Sequence, residues 1–228
     1  MKPENTSRLF GTDGIRGEAG KFPLDAPTVR IIGRALAIHL AEKTGRNPRI
    51  VTGRDTRESG AGIEGDLIAG ARAAGAEVHS AGIITTPGIA LLARNLPADA
   101  GVVISASHNP YQDNGIKVFD PSGRKLDEAT ERRIEKEIAE ASGENVNDLA
   151  GGHATELTAD EKHAAELRLR YLNYLEHDVA RDLSLSGLTM VVDCANGAAY
   201  ELAPELFDRL GARVMAINNE PDGRNINL

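Results

Sequence analysis

Four polar side chains suited to carrying and transferring a charged group lie in one short segment, VVISASHNPYQDNGIKVF, at residues 102–119. Ser107, His108, Asn109 and Lys117 bring a hydroxyl, an imidazole, an amide and an ammonium within eleven positions. The Asn-Pro and Asn-Gly pairs of the segment are enough to turn the chain. The serine, the histidine and the lysine therefore need a different explanation.

Serine is a weak nucleophile unless a base activates it. Ser107 is flanked by Ala106 and His108, which is not the Gly-x-Ser-x-Gly turn of a hydrolase, and adjacent loop residues rarely pair as nucleophile and base. The segment better fits a serine that carries a phosphoryl group, whose charge of about −2 needs cations or amide donors. Lys117, His108 and Arg16 are the candidates, and the alternative is a loop that only turns the chain.

Three further motifs contain residues that could support such a group. GTDGIRG at 11–17 contains Thr12 and Arg16 between glycines, and an Arg there either binds an oxyanion or is simply solvated. GRDTR at 53–57 follows an apolar strand, and for its Arg54, Asp55 and Arg57 we favour a structural ion-pair network. TTPG at 85–88 begins a helix, for which capping by Thr86 with Pro87 in the first turn is sufficient reason.

The elements around these motifs alternate between helical and strand patterns. The alternation predicts an α/β fold with a mixed, mostly parallel sheet, and it places Ser107 at the carboxyl end of a strand, where ligands bind in such sheets. In the first helix Val29, Ile32, Leu36 and Leu40 share one face, Asp25 is the expected cap and Gly45 the expected stop. The patterns predict helices at 25–45, 58–74, 85–96, 126–142 and 159–181, and strands at 49–53, 76–82, 100–106 and 116–120.

The sequence divides into two regions. Residues 1–150 form a first domain, and small polar residues at 143–160 indicate a linker. Residues 151–228 supply a linker helix and one βαβ unit, which is a thin core for a domain of its own. We therefore expect the second domain to be incomplete.

The composition excludes several classes of function. The net charge of −8 is unsuited to a nucleic-acid surface, and no apolar run is long enough to cross a membrane. The single cysteine, Cys194, excludes an internal disulfide and, with an amino terminus that lacks a signal-peptide pattern, predicts a cytoplasmic protein. Glycine motifs for nucleotides and zinc spacings are absent from the sequence. Nothing in it indicates an oligomeric state.

Taken together, FGTDGIRG, GRDTR, TTPG and ISASHNPYQDNGIK, in this order, resemble the α-D-phosphohexomutases. VVDCANGAAY and PDGRNIN are similar to the bacterial phosphoglucosamine mutase branch, so the resemblance extends from Leu9 to Leu228.

The resemblance implies a three-layer α/β/α domain I with a mixed sheet, followed by the start of a similar domain II. It implies isomerisation of glucosamine 6-phosphate and glucosamine 1-phosphate through a phosphoserine, Ser107, and a bisphosphorylated sugar that also serves as activator. Mg²⁺ would bind through the phosphoryl oxygen of Ser107. Lys117 and Arg16 match residues near the transferring group. His108 and Asn109 match the rest of the motif and shape the loop, with Thr12 and Arg54 as further loop support.

The family's metal-binding Asp-Gly-Asp-x-Asp-Arg loop is not found in this sequence, nor are its domains III and IV, which recognise the sugar and its phosphate. We therefore expect the isolated chain to be a fragment with negligible turnover. Two alternatives stay open: a phosphomannomutase or phosphoglucomutase, and a non-catalytic module that binds a sugar phosphate.

Overall fold

The computed structural model describes residues 8–141 and 160–228. The strands are β1 (Ile15–Glu18), β2 (Arg49–Arg54), β3 (Glu77–Ile83), β4 (Ala100–Ile104), β5 (Asp113–Phe119), β6 (Thr189–Asp193) and β7 (Arg213–Ile217). The helices are α1 (Ala26–Thr44), α2 (Gly60–Ala73), α3 (Thr86–Asn95), α4 (Glu128–Ala141), α5 (Glu161–Tyr174) and α6 (Leu202–Arg209), and a π-helical turn at Leu175–Val179 continues α5. In the described ranges no helix has the length and apolarity needed to cross a bilayer.

The first five strands form one mixed sheet in the order β1-β5-β4-β2-β3. Strand β2 pairs in parallel with β3 and β4, whereas β5 pairs antiparallel with β4 and β1. The mixed sheet is confirmed, but the expectation that it is mostly parallel is wrong for these strands. The reason is that β4 and β5 are joined by a loop, not by a crossover helix, so β5 must return antiparallel.

Helices cover both faces of this sheet, which confirms the three-layer α/β/α arrangement. Helices α1, α2 and α4 pack on one face and helices α3 and α5 on the other. The first core includes Val29, Ile32, Leu36, Leu67, Ile134, Val102 and Ile116, and the second includes Ile89, Leu92, Leu167, Tyr171, Val51 and Val103. Strands β2 and β4 contribute side chains to both cores, and β4, AGVVI, is accordingly apolar and buried along its whole length.

Local sequence signals fix the ends of α1. The carboxylate of Asp25 accepts the backbone N–H of Thr28 at 3.1 Å, and Gly45 ends the helix at a φ of 69°. Both expectations are confirmed. Helix α3 differs, because Thr85 in extended conformation is its cap residue and Thr86 already lies in the helix, so the predicted cap was one residue too late.

The second region has its own small sheet of two parallel strands, β6 and β7. Helix α6 lies between these two strands in the sequence. Helix α5 precedes it and packs against β3 and α3 of the first sheet. The helix predicted for 159–181 is thus an α-helix only to Tyr174. The predicted linker lies outside the described residues except for Asp160, and the division at residue 150 stays a prediction.

Helices α1 and α2 cross at two glycines, Gly33 and Gly70. A Cβ at Gly70 would collide with the backbone carbonyl of Arg30, whereas a Cβ at Gly62, on the same helix, would meet no atom. We expect Gly70→Ala to lower the free energy of unfolding by about 1–3 kcal/mol through overpacking. Gly62→Ala should leave it unchanged or raise it by up to about 1 kcal/mol through helix propensity. Urea denaturation of both variants tests this, and equal effects would contradict the close crossing.

Candidate functional site

Ser107 lies in the loop that connects β4 with β5, three residues past the end of β4. Its backbone has a φ of 58°, a left-handed conformation that residues other than glycine rarely adopt. Its backbone N–H donates to Ser105 Oγ at 3.1 Å, and its own Oγ lies 3.4 Å from His108 Nδ1. The Ser107 side chain is exposed. The loop therefore holds a serine hydroxyl outward in an unusual backbone conformation, a feature that clusters at functional sites.

A buried arginine holds this loop in place. The Arg57 side chain is fully buried and donates from Nη2 to the carbonyls of Ser107 and Asn109, at 3.0 and 2.8 Å. Its Nη1 donates to the carbonyl of Pro110. Its Nε donates to Asp55 Oδ2 at 3.0 Å, and the same carboxylate oxygen accepts Ser105 Oγ at 2.7 Å. One guanidinium thus fixes three carbonyls of the loop.

Two cations lie beside the loop and share one carboxylate. Lys117 on β5 pairs with Asp13 at 3.0 Å, and Arg16 on β1 approaches the same carboxylate at 3.6 Å. Arg16 Nη1 also reaches Asn109 Oδ1 at 3.5 Å, which connects this cluster to the Ser107 loop. The hydrogen bond from Lys117, with its charge, lowers the pKa of Asp13 below the ordinary value. The cluster of Asp13, Arg16 and Lys117 has a net positive charge.

Gly14 allows the GTDGIRG turn to pack closely against β5, and this places Asp13 in contact with Lys117. Gly14 has a φ of 88°, and a Cβ there would collide with the carbonyl of Ile116 on β5. Only glycine permits this approach. Thr12 lies exposed in the same turn.

Arg54 is the one predicted site residue that the structure directs elsewhere. Its side chain turns to Glu64 on α2, with Nε 3.3 Å from Glu64 Oε2. Arg57, which the sequence suggested only as part of an ion-pair network, supports the Ser107 loop in its place. The Arg57–Asp55 pair predicted within that network is present.

The second region closes over the segment that carries Arg57. Thr56 Oγ1 donates to the carbonyl of Asn196 at 2.6 Å, and Arg224 pairs with Glu58 at 2.7 Å. Asn227 Nδ2 donates to the carbonyl of His108 at 3.4 Å. Asp13, Thr56 and Asn227 were missed in the sequence, where only the proximity of Asp13 to Arg16 gave any signal.

The described residues do not by themselves form a site for a divalent metal ion. In residues 8–141 and 160–228, no group of three or more His, Cys, Asp and Glu side chains is arranged to bind a metal ion. A phosphoryl group on Ser107 would add oxygen ligands, but the carboxylates that a hard cation prefers are not gathered around it in this part of the chain.

Comparison with known proteins identifies the family. The family model for phosphoglucomutase/phosphomannomutase, alpha/beta/alpha domain I, matches residues 7–145. The chain belongs to the phosphoglucomutase/phosphomannomutase family. Its first sheet and the Ser107 loop at the end of β4 lie within the residues that match that family's domain I.

Relatives and solved structures agree with this assignment. The chain is 46% identical over 221 residues to a phosphoglucosamine mutase of Syntrophus aciditrophicus and 48% identical over 224 residues to one of an Anaeromyxobacter species. The alignments cover 97% and 96% of this chain but 48% and 46% of those relatives, so the chain spans about half their length. A phosphoglucomutase/phosphomannomutase family protein of Burkholderia thailandensis superposes with a TM-score of 0.71 at 27% identity, over 95% of this chain and 45% of the other.

The Arg57 contacts predict a large effect on stability. Arg57→Met would remove the cationic partner of the buried Asp55 carboxylate and a donor to three loop carbonyls, so we expect the free energy of unfolding to fall by about 3–5 kcal/mol. Arg132→Met, at an arginine whose side chain is 71% exposed, should change it by less than about 0.5 kcal/mol. Chemical denaturation of both variants gives the comparison, and a similar small effect at both positions would refute the role of Arg57.

The contact between Asp13 and Lys117 predicts a lowered pKa for the Asp13 carboxyl, which a pH titration can measure. The folded-state pKa of Asp13 is lowered, so the pair contributes stability above the ordinary Asp pKa and loses it as the pH falls through the depressed value. We expect carboxyl ¹³C NMR to report a pKa for Asp13 below the ordinary Asp value and, in Lys117→Met, a shift back toward it. An unchanged pKa in the variant would show that Lys117 does not stabilise the carboxylate.

Proposed function

We propose that this chain is the phosphoserine-bearing part of a phosphoglucosamine mutase, an isomerase that interconverts glucosamine 6-phosphate and glucosamine 1-phosphate. The observation that carries the proposal is the position of Ser107, held outward by Arg57 beside Lys117 and Arg16. The choice of glucosamine is supported by relatives that are 46% and 48% identical and are named phosphoglucosamine mutases. A cytoplasmic location is part of the same proposal.

The reaction transfers one phosphoryl group in each half. Phosphorylated Ser107 gives its phosphoryl group to the free hydroxyl of the sugar monophosphate, so that the serine P–O bond breaks and a sugar P–O bond forms. The bisphosphorylated sugar then reorients, and the other phosphoryl group returns to the Ser107 oxygen. In the first half the proton of the sugar hydroxyl ends on the Ser107 oxygen, and in the second half the Ser107 proton ends on the sugar oxygen from which the phosphoryl group leaves.

The side chains near Ser107 have different roles in the proposed reaction. Lys117 and Arg16 pair with Asp13 in this structure. In the reaction they would instead bind the phosphoryl oxygens and stabilise the charge of the transferring group. His108 Nδ1, 3.4 Å from Ser107 Oγ, is the base that we assign to the serine proton. Asn109 orients Arg16 through its side-chain oxygen. Thr12, exposed beside Asp13, remains a proposed phosphate contact.

Mg²⁺ is the cofactor expected from the family resemblance. When bound to the phosphoryl oxygens of Ser107, it would draw charge from the transferring group. The described residues supply no carboxylate set for it, so none of the steps above depends on the ion. The same observation favours a second candidate function, in which the chain binds a sugar phosphate without transferring the phosphoryl group.

Intact-mass spectrometry on the purified chain tests the proposal. After incubation with glucosamine 1,6-bisphosphate and Mg²⁺, we expect the wild-type chain to gain one phosphoryl group and Ser107→Ala to gain none. Ser122→Ala, at another exposed hydroxyl, is the matched control and should be phosphorylated normally. Lys117→Ala should reduce the rate of phosphoryl gain by roughly 10²-fold, the usual cost of removing one charge-stabilising group. Binding of the sugar without phosphoryl gain would favour the binding module, and phosphoryl gain by Ser107→Ala would refute the role of Ser107.

A further inference from the structure

A second candidate binding site lies at the edge of the first sheet where, among the described residues, β3 pairs with β2 alone. A cavity of about 420 Å³ lies there between β3, α2 and the start of α5, and we name it the edge cavity. Its polar lining consists mainly of Arg54, Glu64, Arg72, His79, Asp160 and His163. The volume is within the range of small-molecule sites. None of the residues that line it is in the Ser107 loop or in the Asp13 cluster.

The two arginines of the edge cavity differ in how their charge is balanced. Arg54 faces Glu64, whose Oε1 already accepts the hydroxyls of Thr52 and Ser80 at 2.6 and 2.7 Å. The buried Nε of Arg54 still lacks a hydrogen bond in the described part of the chain. Arg72 donates to the neutral carbonyl of Val78 at 3.0 Å and, within the described ranges, forms no ion pair. Arg72 is an exposed residue, so its guanidinium is a solvated charge at the cavity wall whose further donors are available to a ligand.

The other carboxylate of the lining is already engaged. Asp160 caps α5 by accepting the backbone N–H of His163 at 3.3 Å. His79 pairs with Glu77 at 2.8 Å, and His163 pairs with Glu166 at 3.7 Å. Glu77 and Glu166 are not among the residues that line the edge cavity. The lining thus carries two arginines and two carboxylates and is not cationic overall, and an anion would bind it through charge-assisted hydrogen bonds from the guanidinium groups.

The two imidazoles connect the edge cavity to a second one. The rings of His79 and His163 are 4.9 Å apart between centroids and line both cavities. The second cavity, of about 170 Å³, is lined by apolar side chains such as Leu96, Pro97 and Leu167 and, besides the two histidines, by the charged side chains of Arg49, Glu77 and Arg170. A ligand that extends past the two histidines would thus place its charged group in the edge cavity and its apolar body in the second cavity.

We propose that the edge cavity binds a small organic anion, with its phosphate or carboxylate group at Arg72 and Arg54 and its apolar body beyond His79 and His163. The site is separate from the proposed mutase chemistry and does not depend on it. An extended peptide strand does not fit this edge, because Arg72 and Arg168 already donate to the β3 carbonyls of Val78 and Ala81.

Imidazole NMR on the whole chain tests the proposal, with inorganic phosphate and 1-naphthyl phosphate as probes. We expect saturable shifts of the His79 and His163 resonances, assigned with His79→Gln and His163→Gln. Naphthyl phosphate should bind at least about tenfold more tightly than inorganic phosphate because its ring buries apolar surface. Equal affinities would overturn the apolar half of the proposal, and unshifted His79 and His163 resonances would overturn it entirely.

Variants at Arg72 separate binding from folding. Arg72→Gln should weaken naphthyl phosphate binding by about tenfold or more, whereas Arg72→Lys, which keeps the charge, should weaken it less. Arg132→Gln, at an exposed arginine on α4, should bind like the wild type. An unchanged affinity in Arg72→Gln would overturn the site. Shifts confined to His108 would place the ligand at the Ser107 loop, which would overturn this proposal and leave the proposed function intact.

Discussion

The candidate site depends on one buried guanidinium. A fully buried arginine is costly unless its charge is paired and its donors are used, and Arg57 meets both conditions through Asp55 and three loop carbonyls. Because these acceptors belong to the Ser107 loop, the requirement to satisfy Arg57 also fixes the loop backbone. The left-handed conformation of Ser107 is thereby sustained by backbone contacts to Arg57, and the Ser107 side chain stays exposed to solvent.

The sheet topology supplies the other half of the site. Strand β5 returns antiparallel to β4 and pairs with β1, so Lys117 and Arg16 come to the end of the sheet where Ser107 lies. The cations are kept in place by Asp13, a single exposed carboxylate whose pKa they depress. The second region then packs on the outer side of the Arg57 segment through Thr56 and Glu58. The segment from Asp55 to Glu58 thus connects the Ser107 loop with the second region, and Asn109 connects the same loop with Arg16.

Sequence reasoning succeeded where the signal is local. The cap at Asp25, the stop at Gly45 and the alternation of helices and strands depend on neighbouring residues, and the structure confirms them. It failed for contacts over long separations. The carbonyls that Arg57 binds are 50 to 53 positions away. Because every residue has a backbone carbonyl, the sequence does not indicate which carbonyls an arginine will bind. For the same reason Arg54 was assigned to the loop in place of Arg57, and the pairing of Asp13 with Lys117, 104 positions apart, was not foreseen.

The most direct test of the account is a ³¹P NMR pH titration of the chain phosphorylated on Ser107. If Lys117 and Arg16 face the phosphoryl group, they favour its dianion, and its second pKa should fall below the value of about 6 for free phosphoserine. Lys117→Ala should raise that pKa again. A phosphoryl group that titrates like free phosphoserine in both proteins would contradict the claim that this fold brings its cations to Ser107.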